Sequence, residues 1–346
     1  MSKVDLSELG FSQLPHYSTH AIELFEEFAR VLPKKMGVPA DYELLLASLL
    51  KDSVKFLLPD NGYLFADHDF KPGMFELLRL PFHICALEFT ATPELYAVGS
   101  GLTHAAKRIA LCFDPWQLSE PQVSLLSSLC GRPFLNGLPE RCLAVMAVYE
   151  ANGVWGGAVG VVVIDLEHDR PLVRKNLEST PINELASKVG ERLNSLGSKH
   201  GLPATFITFP MRSALVGQTP DQATEALYVD TIDEVRCVYE FLAAVNCANV
   251  GTQDVPAPKS LNAKREKKGR PLFYPYKLLD LAPAAAGGGI AGGSHASPRT
   301  HLRRGHLRHL GERYGNKVLW INATVVNAQA GQEPVQVYKV KPAPLG

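Results

Sequence analysis

The residues best suited to chemistry crowd into one stretch, Arg299 to His309, where four arginines and three histidines fall within eleven residues. Arginine offers a planar fork that grips a phosphate through two hydrogen bonds, and histidine titrates near neutrality, so the composition points to phosphate. Arg299, Arg303, Arg304 and Arg308, with Arg313 just beyond, are the candidate contacts. A second basic run adds Lys259, Lys264, Arg265, Lys267, Lys268 and Arg270 as mobile charge. Tyr274, Tyr276, Tyr314 and Trp320 lie close enough in sequence to offer faces on which bases stack. Binding of this kind is salt-sensitive and largely blind to base sequence. The plainer alternative is a solvated basic face, or a surface that docks on acidic parts of the same chain.

The same histidines admit two further chemistries. Metal-free RNA cleavage needs two imidazoles on opposite sides of the scissile phosphate and a cation to stabilise the transition state. His301, His306 and His309 are the candidates, with His306 and His309 the preferred pair. In an extended arm His301 and His309 share a face but stand roughly 26 Å apart, while His306 takes the other face. A break at Gly305 changes that geometry. Arg304 and His309 match a spacing found in some helical ribonucleases, although Gly305 and the strand that follows argue against a helix. Three imidazoles also suit zinc in number, but no cysteine lies nearby and the spacing fits no common structural site. The reading therefore assigns no metal and no cofactor. A carboxylate site at Glu88 or Asp165, with Glu167, His168 and Asp169 close by, is the weakest candidate, because strand-end carboxylates are usually solvated. Gly156 to Gly160 is no phosphate loop, since no Lys-Ser/Thr pair follows it, and reads as close strand packing.

Composition limits the class of protein that carries these groups. An apolar fraction of 46% and a charged fraction of 20% over 346 residues belong to a globular chain with a large core. No apolar run reaches the ~18–20 residues of a membrane span. Met1 to Asp5 lacks the basic start and apolar stretch of a signal peptide, and the six cysteines are scattered without a C-x-x-C pair. Buried free thiols in a reducing cytoplasm are the expectation. The net charge of zero hides a separation: 15 Lys+Arg against 4 Asp+Glu from Lys259 onward, and 20 against 31 before it. An acidic body with a basic, anion-seeking C-terminal part follows.

The elements that must position these groups are legible in outline. Apolar spacing predicts a helix from Ser18 or Thr19 to Pro33, and another from Asp41 through Val54 and Leu57 to Pro59. Leu80–Phe89 and Arg108–Phe113 read as buried strands. Cys142–Glu150 and Val154–Asp165 form a hairpin about Asn152-Gly153. A helix runs from Ser179 to about Lys199, Thr205–Phe209 is a short strand, and a helix with a capping box at Thr231 to Glu234 follows. Phe273–Leu281 is a candidate strand, Pro283–Ser294 a low-complexity linker, and Val335–Lys341 a last strand. The basic run before Tyr314-Gly315-Asn316 and the β-branched, aromatic run after it read as one hairpin with a cationic arm and a core arm.

Several segments together resemble an uncharacterised family of bacteriophage, prophage and plasmid proteins. They are Leu80-Pro81-Phe82 with Leu87-Glu88-Phe89, Lys107 to Leu111, Val245 to Val250, Leu261 to Arg265, Lys268 to Leu272, and above all His301-Leu302-Arg303-Arg304-Gly305-His306-Leu307-Arg308 with Trp320-Ile321 and Val325-Val326-Asn327. The resemblance covers nearly the whole chain from about Leu77. It implies a mobile-element origin and a bacterial cytoplasm, and it brings no activity and no catalytic residue. Where that family has glycine after the final Val-Val, this chain has Asn327.

The sequence thus predicts an α+β protein: a mixed or antiparallel central sheet with packed helices and a basic C-terminal β-hairpin. Four regions are expected: 1–76 helical, 77–255 the α+β core, 256–298 a basic and Gly/Ala-rich linker, and 299–346 the hairpin module. The expected function is nucleic-acid binding by a phage or mobile-element protein in replication, regulation or counter-defence, with no membrane association. The alternatives are a metal-independent ribonuclease using His306 and His309, or an inhibitor that binds a host or phage protein through the acidic body.

Overall fold

Two apolar runs, β2 (Ile84–Thr90) and β3 (Lys107–Phe113), pair antiparallel with Cys85 opposite Cys112. Cys85, Leu87, Phe89, Ala110 and Cys112 enter one core, while Ile84, Ala86, Ile109, Leu111 and Phe113 enter a second on the opposite face. Strands buried on both sides read as continuous apolar runs, which is why this pair is visible in sequence. The computed structural model describes residues 14–62, 64, 78–92, 105–166, 204–215, 217–281, 301–303, 306–310, 312–315, 317–321 and 324–326.

β4 (Cys142–Ala151) extends the meander antiparallel to β3 and turns back through Asn152 and Gly153 into β5 (Val154–Gly157). Both turn residues have positive φ (54° and 79°), the conformation of the turn that Asn-Gly favours. The single strand expected over Val154–Asp165 breaks at Ala158-Val159. β5 therefore pairs with the second half of β4, and β6 (Gly160–Asp165) pairs with its first half. β7 (Ala204–Thr208) lies outside β6. The Gly-rich segment is close packing, as expected: a methyl on Gly157 would meet the Tyr42 hydroxyl at 2.5 Å.

On the other flank β1 (Val54–Leu57) runs parallel to both β2 and β9 (Tyr276–Leu281), and β8 (Val250–Val255) pairs antiparallel with β9. The result is a nine-stranded mixed sheet in the order β7-β6-β4-β3-β2-β1-β9-β8, with β5 beside β4. The α+β class with a mixed central sheet is the one expected. β1, from the region read as N-terminal helical, and β9, from the region read as linker, both lie inside this sheet.

Helices cover both faces. α1 (Tyr17–Met36), α2 (Asp41–Asp52) and α3 (Glu120–Cys130) line the second core, and the long α5 (Pro220–Val245) covers the first. α4 (Pro210–Leu215) is a short connector before α5. Three boundaries differ from expectation for local reasons. α1 passes through Pro33 and stops at Gly37, whose φ of 65° is left-handed. α2 stops at Asp52 instead of running to Leu57, because the Lys55 ammonium turns back and donates to Leu50 O and Ser53 O, each at 2.6 Å. α5 begins at a capping box of Thr219 and Gln222, well before Thr231. Thr231 is interior, and its hydroxyl donates back to Leu227 O at 2.5 Å.

The cores also hold charge. Arg108 on β3 clasps Glu234 on α5, while Arg236 donates to Glu240 at 2.9 Å and to Asn61 O. All six cysteines are buried free thiols, as expected. No helix among the described residues is long and apolar enough to cross a membrane. The expected helix Ser179–Lys199, the Pro283–Ser294 linker and the strand Val335–Lys341 lie outside the described residues, as do Glu167, His168 and Asp169.

Candidate nucleic-acid interface

The basic stretch forms a strand arm. His301–Arg303 is β10 and pairs antiparallel with β13 (Thr324–Val326), while His306–His309 is β11 and pairs antiparallel with β12 (Val318–Ile321). Both ladders keep one offset: His301 faces Val326, Arg303 faces Thr324, His306 faces Ile321 and His309 faces Val318. They are two short two-stranded sheets that share one register, and positions 304–305 and 322–323 between them lie outside the described residues. The β11–β12 connection is tied by Leu310 N donating to Lys317 O at 2.8 Å, and it holds a short 3-10 turn at Glu312–Tyr314. Gly315 follows with a φ of 67°, a conformation that glycine adopts without strain.

The core arm is the side that meets the body. Val318 is buried in the first core, and its carbonyl accepts from Ala248 N at 2.9 Å, just beyond the end of α5. The attachment is thus an apolar side chain and a backbone hydrogen bond. Across the ribbon Arg308 is exposed, and no described residue forms an ion pair with it. Arg313 is also exposed, in the 3-10 turn, and makes contacts of its own. Arg303 stands on β10 and Trp320 on β12, while Arg299 and Arg304 lie outside the described residues.

The strand His306–His309 bears on two of the three histidines. Position 309 lies on a strand paired with Val318, in keeping with the argument against a helical ribonuclease spacing from Arg304 to His309. Strand residues alternate faces, so positions 306 and 309 fall on opposite faces of the ribbon. The strand therefore does not put positions 306 and 309 on one face about a phosphate.

The second basic run has a different role from the one expected. Lys259–Glu266 is a helix, α6, not mobile chain. Asn262 brackets the backbone of Phe273, donating to its carbonyl at 2.9 Å and accepting from its amide at 2.8 Å. Arg265 donates to Pro271 O at 2.5 Å, stacks 4.3 Å from the Phe273 ring centre, and reaches Glu23 on α1 at 2.6 Å. Arg270 joins the same carboxylate at 2.8 and 3.2 Å. Partial burial raises the Glu23 carboxyl, but the Arg270 hydrogen bond and the charges of Arg265 and Arg270 outweigh it and hold the group below its usual value. Arg265 and Arg270 are consequently anchors. Lys259, Lys264, Lys267 and Lys268 are exposed, and among the described residues none has an ion-pair partner.

Two of the four candidate stacking aromatics are likewise committed to the fold. Tyr276 is buried and its hydroxyl donates to Glu88 at 2.6 Å, while the Tyr274 ring lies 3.6 Å from the Lys55 ammonium. Burial lowers the Lys55 pKa to about 7. Glu88, expected to be a solvated strand-end carboxylate, is fully buried and accepts the Tyr17 and Ser18 amides, each at 2.9 Å. It caps α1 from the middle of β2, which leaves it no vacant oxygen for chemistry. Asp165 sits half-buried at the end of β6 with partners of its own. Glu23, Ala248 and Val318 are the positioning residues that sequence reasoning missed. Each acts through a partner more than sixty positions away, and no local pattern marks such a pairing.

No protein-family model matches the chain, and neither a curated protein nor a solved structure matches it.

Proposed function

We propose that this chain binds nucleic acid through the cationic arm of its C-terminal ribbon, as a phage or mobile-element protein acting in replication, gene control or counter-defence in a bacterial cytoplasm. The observation that carries the reading is the ribbon's orientation. It meets the body along β12, by Val318 and a backbone hydrogen bond to Ala248, which leaves the arm bearing Arg308 on the outer side. Arg308 on that arm is exposed, whereas Arg265 and Arg270 of the second basic run are held by Glu23. The ribbon arginines grip phosphate, and the exposed lysines of α6 and its following turn add non-specific affinity.

The test is incubation of the pure chain with labelled single- and double-stranded RNA and DNA at two salt concentrations, with EDTA present. Each sample is resolved on a native gel for binding and on a denaturing gel for cleavage. A shift that weakens with salt and leaves the strands intact is expected. EDTA-resistant cleavage lost in His306→Ala would replace this reading with the ribonuclease, and the absence of any shift at low salt would refute it.

A further inference from the structure

We infer that Phe82, His83 and Trp116, where β2 begins and β3 ends, form a platform on which unpaired bases stack. The inference rests on the nucleic-acid reading above and names its ligand class, a single strand. Among the described side chains, Phe82 and Trp116 are the exposed members of the Phe, Tyr and Trp set, at 37% and 46%. They are not scattered. Asp114 N donates to His83 O at 2.9 Å, which continues the β2–β3 pairing past Ile84 and Phe113. Phe82 precedes that bond by one residue and Trp116 follows it by two. Both therefore leave the same end of adjacent chains, whose backbones lie about 4.8 Å apart. His83 is exposed between them and adds a third planar face of the kind that stacks on bases.

The rings are held in place and still face water. The Trp116 amide donates to Asp114 Oδ1 at 3.0 Å, and its indole Nε1–H donates to Pro139 O at 2.9 Å. With its polar edge satisfied, the rest of the exposed indole is apolar surface that gains by being covered. Phe82 leans on Phe56, with 6.2 Å between ring centres. Rings fixed in this way lose little freedom when a base is laid on them.

Cations adjoin the rings, and the nearest carboxylates are engaged. The Lys277 ammonium lies 5.5 Å from the Phe82 ring centre and pairs with Asp254 at 2.5 Å. Asp114 is spent on the Trp116 amide and on Gln117, which donates to it at 2.6 Å. Arg79, three residues before Phe82, is exposed, and its carbonyl accepts from Asn246 Nδ2 at 3.0 Å. Asn246 lies two residues before Ala248, which holds the ribbon through Val318 O. The platform thus adjoins the ribbon's attachment, so that one strand can meet phosphate-binding cations and stacking faces together. Tyr274 and Tyr276, the faces that sequence suggested, are engaged by Lys55 and Glu88. In a duplex the faces of the bases are already stacked, so these rings add affinity for unpaired bases alone.

The experiment measures the affinity of the full chain at low salt by fluorescence anisotropy. The probes are a DNA strand of about 15 nucleotides, a fully abasic strand of the same length, and the corresponding duplex. The abasic strand keeps the phosphates and lacks the stacking faces. The intact strand is expected to bind about tenfold or more tighter than the abasic strand, and tighter than the duplex. Phe82→Leu keeps an apolar side chain against Phe56 but loses the aromatic face. It and Trp116→Leu each weaken binding of the intact strand about tenfold, towards the abasic value, and Trp116→Phe restores most of the loss. Arg308→Ala weakens the intact and abasic strands alike, because it acts on phosphate. Equal affinity for intact and abasic strands overturns the platform and leaves the nucleic-acid reading standing. So does a duplex bound as tightly as the single strand, or leucine variants as tight as the wild type. Failure to bind any of the three probes overturns both.

Discussion

Replacing Arg108 by methionine tests whether the charge between sheet and helix is a matched pair. Arg108 Nε lies 2.5 Å from Glu234 Oε1 and Nη2 lies 3.1 Å from Oε2, while Nη2 also donates to Asp230 O at 2.9 Å. Relative exposure is 5% for the arginine side chain and 0% for the glutamate, so water cannot replace either partner. Breaking such a pair by removing one member costs about 3–5 kcal/mol, because the other is left buried without compensation. The sign of the pH dependence follows from the glutamate. Burial pushes its carboxyl from 4.5 up to about 7, against the pull of Arg108. The folded state thus holds the proton more tightly than the unfolded state, and this group's contribution to stability falls as pH rises from 4.5 to about 7. Without Arg108 the folded value climbs further. The deficit of the variant then grows by about 1.4 kcal/mol per pH unit above neutrality, until the new value is reached. Asp230, which burial also raises and Arg108 lowers, shifts in the same direction. Urea unfolding of both proteins at pH 6 and pH 8.5, followed by circular dichroism, reads the effect. The double variant Arg108→Met, Glu234→Leu is expected to recover most of the loss at pH 8.5. A deficit below about 1 kcal/mol, or one identical at the two pH values, would refute the reasoning.

Gly160→Ala is expected to destabilise the chain by about 1–3 kcal/mol in the same unfolding assay, because the added methyl meets Ile207 O on the neighbouring strand and the Leu227 side chain of α5. Glu23→Gln removes the common partner of Arg265 and Arg270, and is expected to lower the melting temperature by about 2–4 °C without weakening nucleic-acid binding. A tenfold loss of affinity in that variant would mean that the two arginines work on the ligand and not as anchors. Alanine at Lys264, Lys267 and Lys268 together is expected to leave the melt unchanged and weaken binding to all sequences alike, with a shallower salt dependence.

The fold was legible where strands are buried on both faces and where a turn needs a particular residue type. β2, β3 and the Asn152-Gly153 hairpin have those properties, and both signals are local. β1 was not legible, because Val54–Leu57 continues the apolar spacing of α2 while the helix end is capped by the Ser53 hydroxyl on Leu50 O and by the Lys55 ammonium on Leu50 O and Ser53 O. The start of α5 was missed for a related reason: Thr231 to Glu234 imitates a capping box, while the true box lies at Thr219 and Gln222. At the site, basic composition and β-propensity gave the ribbon and its pairing. They did not separate arginines that face outward from those that anchor, since Arg265 and Arg270 are held by Glu23, distant in sequence, while Arg308 is exposed. In the segments Leu261–Arg265 and Lys268–Leu272, Asn262 and Arg265 serve the fold by holding the backbone of Phe273 and Pro271.

The most direct test of the central claim is the dissociation constant for a duplex DNA as a function of salt, for the wild type and for Arg303→Ala, Arg308→Ala. Each phosphate neutralised by the protein contributes about −0.9 to the slope of log K against log salt. A straight line with a slope of several units is expected for the wild type, and one shallower by about one to two units for the variant. A slope near zero, or one that the two substitutions leave unchanged, would contradict it.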